Sequence, residues 1–211
     1  MSARPRSEHS PLVIACGALA GDLRAILRTN ALDSAIEVCY LPANLHNRPH
    51  DIVPEVRAIL APAISRGRPV FVAYADCGTG GGLDALLLEF PDVARLPGAH
   101  CYEFFAGTEQ FRAIAEVELG TFYLTDYLAK HFDALVWSGL GLDRHPQLRD
   151  QYFANYRRVV HLAQANDART ADLARAAADR LGLQFESWST GRDQFAAAIP
   201  FVALGGDRVT A

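Results

Sequence analysis

Short apolar runs alternate along the chain with longer stretches of helical periodicity. The runs are five or six residues long and are bounded by glycine, proline or polar residues, which is the pattern of buried strands. They are Leu12–Cys16, Ile36–Leu41, Pro69–Tyr74, Ala134–Ser138 and Val159–Ala163. Phe185–Ser189, although less apolar, is predicted as the last strand. Continuous apolar runs of this length are typical of strands buried on both faces of a parallel sheet.

Helical patterns fill the segments between these runs. Apolar residues recur at helical spacing over 52–64, from Thr108 onward, over 148–158 and over 167–181, where Gly182 ends the pattern. The stretch GTFYLTDYLAKHF, with its polar and aromatic Gly120, Thr121, Tyr123 and Thr125, is interpreted as a helix or as a loop followed by one.

Strands that alternate with helices predict an α/β fold. We expect a mostly parallel three-layer sheet with helices on both faces, formed by a single domain over 11–200. Residues 1–10 are predicted to be disordered, and residues 201–211 are predicted to form a flexible C-terminal tail.

Composition and charge narrow the class of protein. Half of the 211 residues are hydrophobic and 21% are charged, which is enough apolar surface for a folded core. The net charge is −4 and the basic residues form no stripe, which argues against nucleic-acid partners and against a polybasic membrane anchor. No apolar run approaches the ~18 residues of a membrane span, and the polar first residues do not resemble a signal peptide. A cytoplasmic location is expected.

The four cysteines are spread singly through the first half of the chain. Cys16, Cys39, Cys77 and Cys101 form no CxxC array, and reduced thiols are favoured over disulfides. For each cysteine alone, the role of a small buried hydrophobe competes with a chemical role. Cys39 lies in the middle of an apolar run and is assigned to the core.

Soft and titratable side chains follow one predicted strand after another. Ligands bind open parallel sheets beyond the carboxyl ends of the strands, near a switch in strand order, so these side chains are expected to share one edge. The candidates are Cys16, His46, Asp76, Cys77, His100, Cys101, Glu103, Asp143, Arg144 and His145. Among the histidines, His131, His145 and His161 show no partner pattern, and structural or surface roles are favoured for them.

Thiolates and imidazoles are the ligands that zinc prefers. We expect Cys16, Cys77 and His100 to bind zinc or another transition metal, with Cys101 or His46 as the fourth ligand. The alternatives are ordinary buried thiols and an exposed loop histidine at His46.

The turn Gly78–Gly81 follows Cys77 directly. Glycines can direct backbone N–H groups toward an anion, so Gly78, Thr79, Gly80 and Gly81 are candidates for cofactor binding and for an oxyanion hole. Cys77 is the candidate nucleophile, with His100 or His46 as its base. Glu103, among aromatic residues, is the candidate general base in the metal-site hypothesis. A tight structural turn, and an ion pair of Glu103 with a nearby arginine, are the competing interpretations.

Five motifs together resemble a known family: ACGAL, LHN, YADCGTGG, GAHCYEFFAG and GTFYLTDYL. The chain resembles, over about residues 12–200, the uncharacterised domain-of-unknown-function family numbered 1638. The matched site positions are Cys16, His46, Cys77 and His100. The resemblance implies a link to one-carbon metabolism, because members are commonly encoded near corrinoid-dependent methyltransferases, and it implies no established reaction.

Three functions are compatible with these patterns. The first is a metal-thiolate enzyme, with methyl-transfer-related or hydrolytic chemistry on a small one-carbon or methylated substrate. The second is a non-catalytic binding protein that holds a cofactor or docks a corrinoid protein or methyltransferase. The third is a metal-free hydrolase with a cysteine nucleophile. A homo-oligomer is compatible with each of them.

Overall fold

The computed structural model describes residues 10–203. The chain groups into two compact units, one formed by the residues up to Phe104 and from Asp193 onward, the other by Phe105–Arg192. The predicted disorder of 1–10 and the predicted flexible tail fall mostly on residues outside the described range, although Pro200–Ala203 is helical. The prediction of a single domain stays a prediction.

The first unit contains a four-stranded parallel sheet. Its strands are β1 (Leu12–Cys16), β2 (Glu37–Leu41), β3 (Val70–Ala73) and β4 (Ala94–Arg95), in the order β2-β1-β3-β4. All residues of β1 and β3 are buried, because these strands pair on both sides and are covered on both faces. The chain passes to the other side of β1 between β2 and β3, so the strand order switches between β1 and β3.

The second unit contains a three-stranded parallel sheet. Its strands are β5 (Thr121–Thr125), β6 (Arg158–Ala163) and β7 (Gln184–Ser189), in that order. At its base, the buried Arg158 guanidinium donates hydrogen bonds to Thr121 Oγ1 at 2.9 Å and to both carboxylate oxygens of Glu186 at 2.9 Å. This arginine therefore ties the three strands together at their amino ends.

Helices flank both sheets. Among residues 10–203, the α-helices are α1 (Ala20–Thr29), α2 (Ile52–Ser65), α3 (Gly82–Leu87), α4 (Cys101–Ala106), α5 (Thr108–Val117), α6 (Asp126–Lys130), α7 (Leu148–Tyr152), α8 (Ala168–Leu181), α9 (Asp193–Ala197) and α10 (Pro200–Ala203). Short 3₁₀ helices cover Gly17–Leu19, Ala43–Asn47 and Pro49–Asp51. None of the helices described in this range is both long and apolar enough to cross a membrane.

The α/β class and the parallel strands are confirmed, with the strands divided between two sheets. β4 is only two residues long and lies between Pro91 and Pro97. Proline lacks the N–H that a sheet needs, so the first sheet ends there.

The predicted strand over Ala134–Ser138 is wrong. Asp133–Trp137 forms one π-helical turn, and the buried residues around it are Ala129, Phe132 and Val136. Their spacing is helical, but a window of five residues is too short to distinguish an apolar helical turn from a strand. Asp143, Arg144 and His145 therefore do not follow a strand.

The interpretation of GTFYLTDYLAKHF as a helix is wrong in its first half. Thr121–Thr125 is a strand, and helix α6 begins at the next residue. The segment is rich in β-branched and aromatic residues, which fit a pleated surface. Thr125 then caps α6, because its side-chain oxygen accepts a hydrogen bond from the Leu128 N–H.

Gly120 is the position before β5 where a side chain has no room. A Cβ atom there would lie 2.4 Å from the Asn155 carbonyl oxygen. We expect Gly120→Ala to lower the free energy of unfolding by about 1–3 kcal/mol, measured by urea denaturation, because backbone must move to relieve the overlap. Gly21→Ala is the control: nothing lies within 4 Å of its Cβ position in α1, so alanine should stabilise by up to about 1 kcal/mol. Equal stability of the two variants would contradict this packing.

Candidate functional site

The candidate site lies where the order of the first sheet switches. Cys16 is the last residue of β1, and Cys77 follows the neighbouring strand β3. A Cβ atom on Gly17 would lie 3.0 Å from the Leu41 carbonyl oxygen at the end of β2. Glycine therefore allows the chain after β1 to pack closely against the loop that carries His46.

A small cleft at this edge brings together four of the predicted site residues. Its volume is about 20 Å³, which is room for one water molecule or one ion. Its walls are Cys16, Ala18, Leu19, His46, Ala73, Tyr74, Ala75, Cys77, Cys101 and Phe104. Three thiols and one imidazole therefore line the same cleft at the carboxyl edge of the sheet.

The thiols of the cleft are held in their protonated form. Burial raises the pKa of Cys16 to about 11 and that of Cys77 to about 12, and it raises the pKa of Cys101 well above its ordinary value. Cys16 adds to the rise at Cys77, and both add to the rise at Cys101. A negative charge on one sulfur would oppose a charge on the next, because little water screens them.

Backbone N–H groups nevertheless point toward these sulfurs. The Ala18 N–H donates to Cys16 Sγ at 3.4 Å, which makes Cys16 the N-cap of the 3₁₀ helix Gly17–Leu19. Hydrogen bonds from the backbone of Ala75 and Cys101 lower the pKa of Cys77 and offset part of its rise. The sulfurs are therefore placed among donors that would stabilise their charged form.

His46 lies at the mouth of the cleft in a fixed tautomer. Its Nδ1 lies 3.1 Å from the Ala43 carbonyl oxygen and 3.8 Å from Cys16 Sγ. A carbonyl only accepts, so Nδ1 carries the proton and Nε2 keeps its lone pair. One side of the ring stays accessible to solvent. Desolvation of the ring by the surrounding protein atoms lowers the pKa of His46, and nearby His100 lowers it further. The imidazole is therefore neutral.

Tyr74 also lines the cleft, although no sequence pattern identifies it as a site residue. It is 1% exposed, its ring stacks on His46 with centroids 6.2 Å apart, and its hydroxyl makes no hydrogen bond of ordinary length and angle. Burial raises the pKa of Tyr74, and its interaction with the neighbouring Cys16 thiol raises it further. The buried hydroxyl is therefore directed at a cleft thiol, which is a weak hydrogen-bond partner. A tyrosine that ends an apolar strand gives no sequence signal of this role.

Cys77 has a strained backbone, with φ at +51°. Its N–H donates to the Ala99 carbonyl at 2.9 Å, and the Asp76 N–H donates to Gly98 at 3.1 Å. These bonds hold the turn after β3 against the segment that leads into α4. Left-handed backbone at a residue other than glycine costs about 1–3 kcal/mol and occurs preferentially at functional sites.

The N–H groups of the glycine turn are used by the protein itself. The Asp76 carboxylate accepts from the Gly80 N–H at 3.0 Å, the Gly81 N–H at 2.8 Å and the Thr79 hydroxyl at 2.6 Å. These contacts lower the pKa of Asp76 against the opposing effect of burial. Anion binding by Gly78–Gly81 would require these donors to leave Asp76.

The other predicted site residues lie outside the cleft walls. His100 is exposed, with its ring centroid 6.2 Å from that of Tyr102. Glu103 packs on Gly98 and accepts a long hydrogen bond of 3.4 Å from the Ala99 N–H. Cys39 is half-buried on the edge strand β2 and is not a core residue.

Metal binding is not preformed at the cleft. Within the described range 10–203, no three His, Cys, Asp or Glu side chains are grouped so that they could hold a metal ion. The thiols share one cleft, but they do not converge on one point as they stand.

One comparison with known proteins gives a match. The family model described as "Protein of unknown function (DUF1638)" matches residues 40–199, a range that includes His46, Cys77, His100 and Cys101 but not Cys16. No curated protein matches the chain.

The raised thiol pKa values predict a loss of stability in alkali. In metal-free protein, Cys77 stays protonated up to a pH of about 12, whereas in the unfolded chain it ionises near 9. Stability from this group is therefore complete below pH 9 and falls above it, by about 1 kcal/mol at pH 10. We expect urea denaturation at pH 8 and 10 to show a smaller fall for Cys77→Ser than for the unchanged protein. Cys39→Ser, at a half-buried thiol, should keep most of the fall; equal falls in all three proteins would refute the prediction.

Proposed function

The chain belongs to the family described as Protein of unknown function (DUF1638), and we propose from its cleft that it is a zinc-thiolate enzyme. Its substrate is a small one-carbon or methylated compound that reacts at the carboxyl edge of the first sheet. The observation that carries the proposal is a cleft of about 20 Å³ walled by the thiol residues Cys16, Cys77 and Cys101.

The size and the donors of the cleft fit a soft metal ion. A volume of about 20 Å³ accepts a single ion and is too small for an organic cofactor. Three sulfurs and one imidazole nitrogen are a ligand set typical of zinc. A cation would also reverse the mutual repulsion that keeps the thiols protonated, since each thiolate would then gain a counter-charge.

His46 has the tautomer that metal-binding histidines commonly have. Its Nδ1–H donates to the Ala43 carbonyl, which leaves the Nε2 lone pair for a ligand. His46 also lines the cleft, whereas His100 does not. We therefore assign the fourth ligand position to His46.

Binding requires the thiols to turn toward one another, since no three ligands are grouped as they stand. Each Sγ can move by rotation about χ1 without any change in the backbone. Proton release accompanies this step, because the thiols bind a metal as thiolates.

If zinc is bound there, it would supply Lewis acidity toward a methylated amine or thiol that displaces His46 or enters as a fifth ligand. The chain supplies the surroundings of that reaction. The Tyr74 hydroxyl, which interacts with the Cys16 thiol, is a hydrogen-bond donor in the wall of the cleft, and Phe104 is an apolar part of that wall. The cleft volume of about 20 Å³ restricts the reacting group to a small one.

A metal-free cysteine hydrolase is the second candidate, because Cys16 Sγ lies 3.8 Å from His46 Nδ1. Two observations disfavour it. Nδ1 carries a proton that it donates to Ala43, and burial raises the pKa of Cys16 to about 11, so the thiol is not activated. The glycine turn also has its N–H groups bound to Asp76, which leaves an oxyanion hole without those donors.

Metal titration tests the proposal directly. We expect chelator-treated protein to bind about one equivalent of zinc, with release of protons, in isothermal titration calorimetry. Cobalt(II) in its place should give a thiolate-to-metal charge-transfer absorption. Cys16→Ser, Cys77→Ser and Cys101→Ser should each weaken binding at least about tenfold, since serine is a poor zinc ligand.

Cys39→Ser is the matched control, because Cys39 is a thiol of the same unit that does not line the cleft. Its affinity for zinc should equal that of the unchanged protein. Less than about a tenth of an equivalent of bound metal would overturn the proposal, and so would a Cys39 variant as weak as the others.

A second measurement separates the enzyme from a non-catalytic accessory protein. Zinc-loaded protein is incubated with methylated amines and thiols and with a reduced corrinoid as methyl acceptor. Methyl transfer that depends on Cys77 supports the enzyme. A stable complex with a corrinoid protein, without turnover on this panel, would support the accessory role instead.

A further inference from the structure

The second sheet carries a hydrogen-bonded relay of serine, histidine and aspartate. His161 on β6 is 1% exposed, and its Nε2 lies 2.9 Å from Asp126 Oδ1. Its Nδ1 lies 3.3 Å from the Ser187 hydroxyl oxygen on β7. The register of the sheet sets this contact, because His161 and Ser187 are directly paired.

The neighbours of Asp126 fix the direction of the relay. Asp126 Oδ2 accepts a hydrogen bond from the Ala165 N–H at 2.8 Å, and the Asp126 N–H donates to Gln164 Oε1 at 2.8 Å. The carboxylate therefore faces His161 as an acceptor, and the imidazole proton is on Nε2. The Nδ1 lone pair is then left to accept the proton of the Ser187 hydroxyl.

Ser187 is open to a substrate, unlike its two partners. The residue is exposed, and β7 is the edge strand in the order β5-β6-β7. The Gln184 and Thr190 N–H groups point to β6, where they donate to Arg157 and Ala163. In a parallel strand, the N–H groups of every second residue point to the same neighbouring strand. Ser187 lies an odd number of residues from Gln184 and from Thr190, so its N–H points away from β6, toward the outer edge. An acyl-transfer site needs a hydroxyl that is hydrogen-bonded to a base and an N–H group that can stabilise the oxyanion. Ser187 offers the first, and its own backbone N–H is a candidate for the second.

We propose that Ser187 is a nucleophile toward small carboxylic esters, with His161 as its general base and Asp126 as the positioning residue. The Ser187 oxygen bonds to the ester carbonyl carbon, and its proton passes through His161 Nδ1 to the alkoxide that leaves as the ester C–O bond breaks. Water then attacks the acyl-serine. One water proton returns to the serine oxygen through His161, and the carboxylic acid departs. This activity is independent of the cleft in the first sheet.

A fluorophosphonate probe tests the nucleophile on the intact protein. The Ser187 oxygen displaces fluoride at phosphorus, so one covalent adduct forms, which peptide mass spectrometry locates. We expect labelling of Ser187 to be at least about 100-fold faster than that of other serines, because general-base catalysis contributes factors of this size. Ser187→Ala should abolish the adduct and the hydrolysis of p-nitrophenyl acetate. An unlabelled Ser187 would overturn the proposal.

Ser189→Ala is the matched control, since Ser189 is exposed on the same strand but is paired with Ala163 rather than with histidine. It should keep both the labelling of Ser187 and the esterase activity. Loss of both in this variant, with Ser187→Ala still active, would contradict the assignment.

Asp126 and His161 are buried, so substitutions such as Asp126→Asn perturb the interior. Their roles therefore need a test whose result does not depend on stability alone. Ser187→Cys and Ser189→Cys place a thiol at each exposed position. We expect iodoacetamide to alkylate the thiol at 187 at a lower pH than the thiol at 189, since His161 accepts its proton. Adding Asp126→Asn should move the pH profile at 187 toward that at 189. Identical profiles at both positions would mean that the relay is only structural.

Discussion

The central place of β1 is the constraint on which the candidate site depends. β1 pairs in parallel with β2 on one side and with β3 on the other, so the ends of three strands meet at one edge. Cys16 ends β1, and the turn that holds Cys77 follows β3, because the strand order switches between these two strands. Gly17 then permits the close approach to the end of β2, beyond which His46 lies.

The thiols at this edge are buried without a counter-charge for their ionised form, and this determines their protonation state. Water is displaced from around Cys16, Cys77 and Cys101, and the pKa of each thiol rises for that reason. At the same time, backbone donors reach the sulfurs, and the Tyr74 hydroxyl interacts with the Cys16 thiol. An apolar packing role would explain the raised pKa values, but it would not explain the donors around the sulfurs. The cation that we propose for this cleft would balance the thiolates that these donors favour.

In the second unit, the buried polar groups are hydrogen-bonded to one another. Arg158, Asp126 and His161 are all nearly inaccessible, and each has partners within hydrogen-bond distance. Such networks are retained only where nearly every donor and acceptor is satisfied. Asp126 has a double function there, because it begins α6 beside the Thr125 cap and also fixes the imidazole of His161. Ser187, at the exposed end of this network, is the member that a solvent-borne molecule can reach.

The sequence by itself determined the α/β class, the parallel strands β1, β2, β3, β6 and β7 and the thiols Cys16 and Cys77 at one edge. β1, β3 and β6 are buried on both faces and are continuous apolar runs, and residues after parallel strands share an edge whatever the loop details. Only the tertiary structure decided that β5 is a strand, that Cys101 and His46 line the cleft in place of His100, and that Asp76 occupies the N–H groups of the glycine turn. It also paired His161 with Asp126 and Ser187, which are 35 and 26 residues away in the chain. These contacts depend on strand register and on the direction of individual side chains, and no local pattern of hydrophobicity encodes either of them.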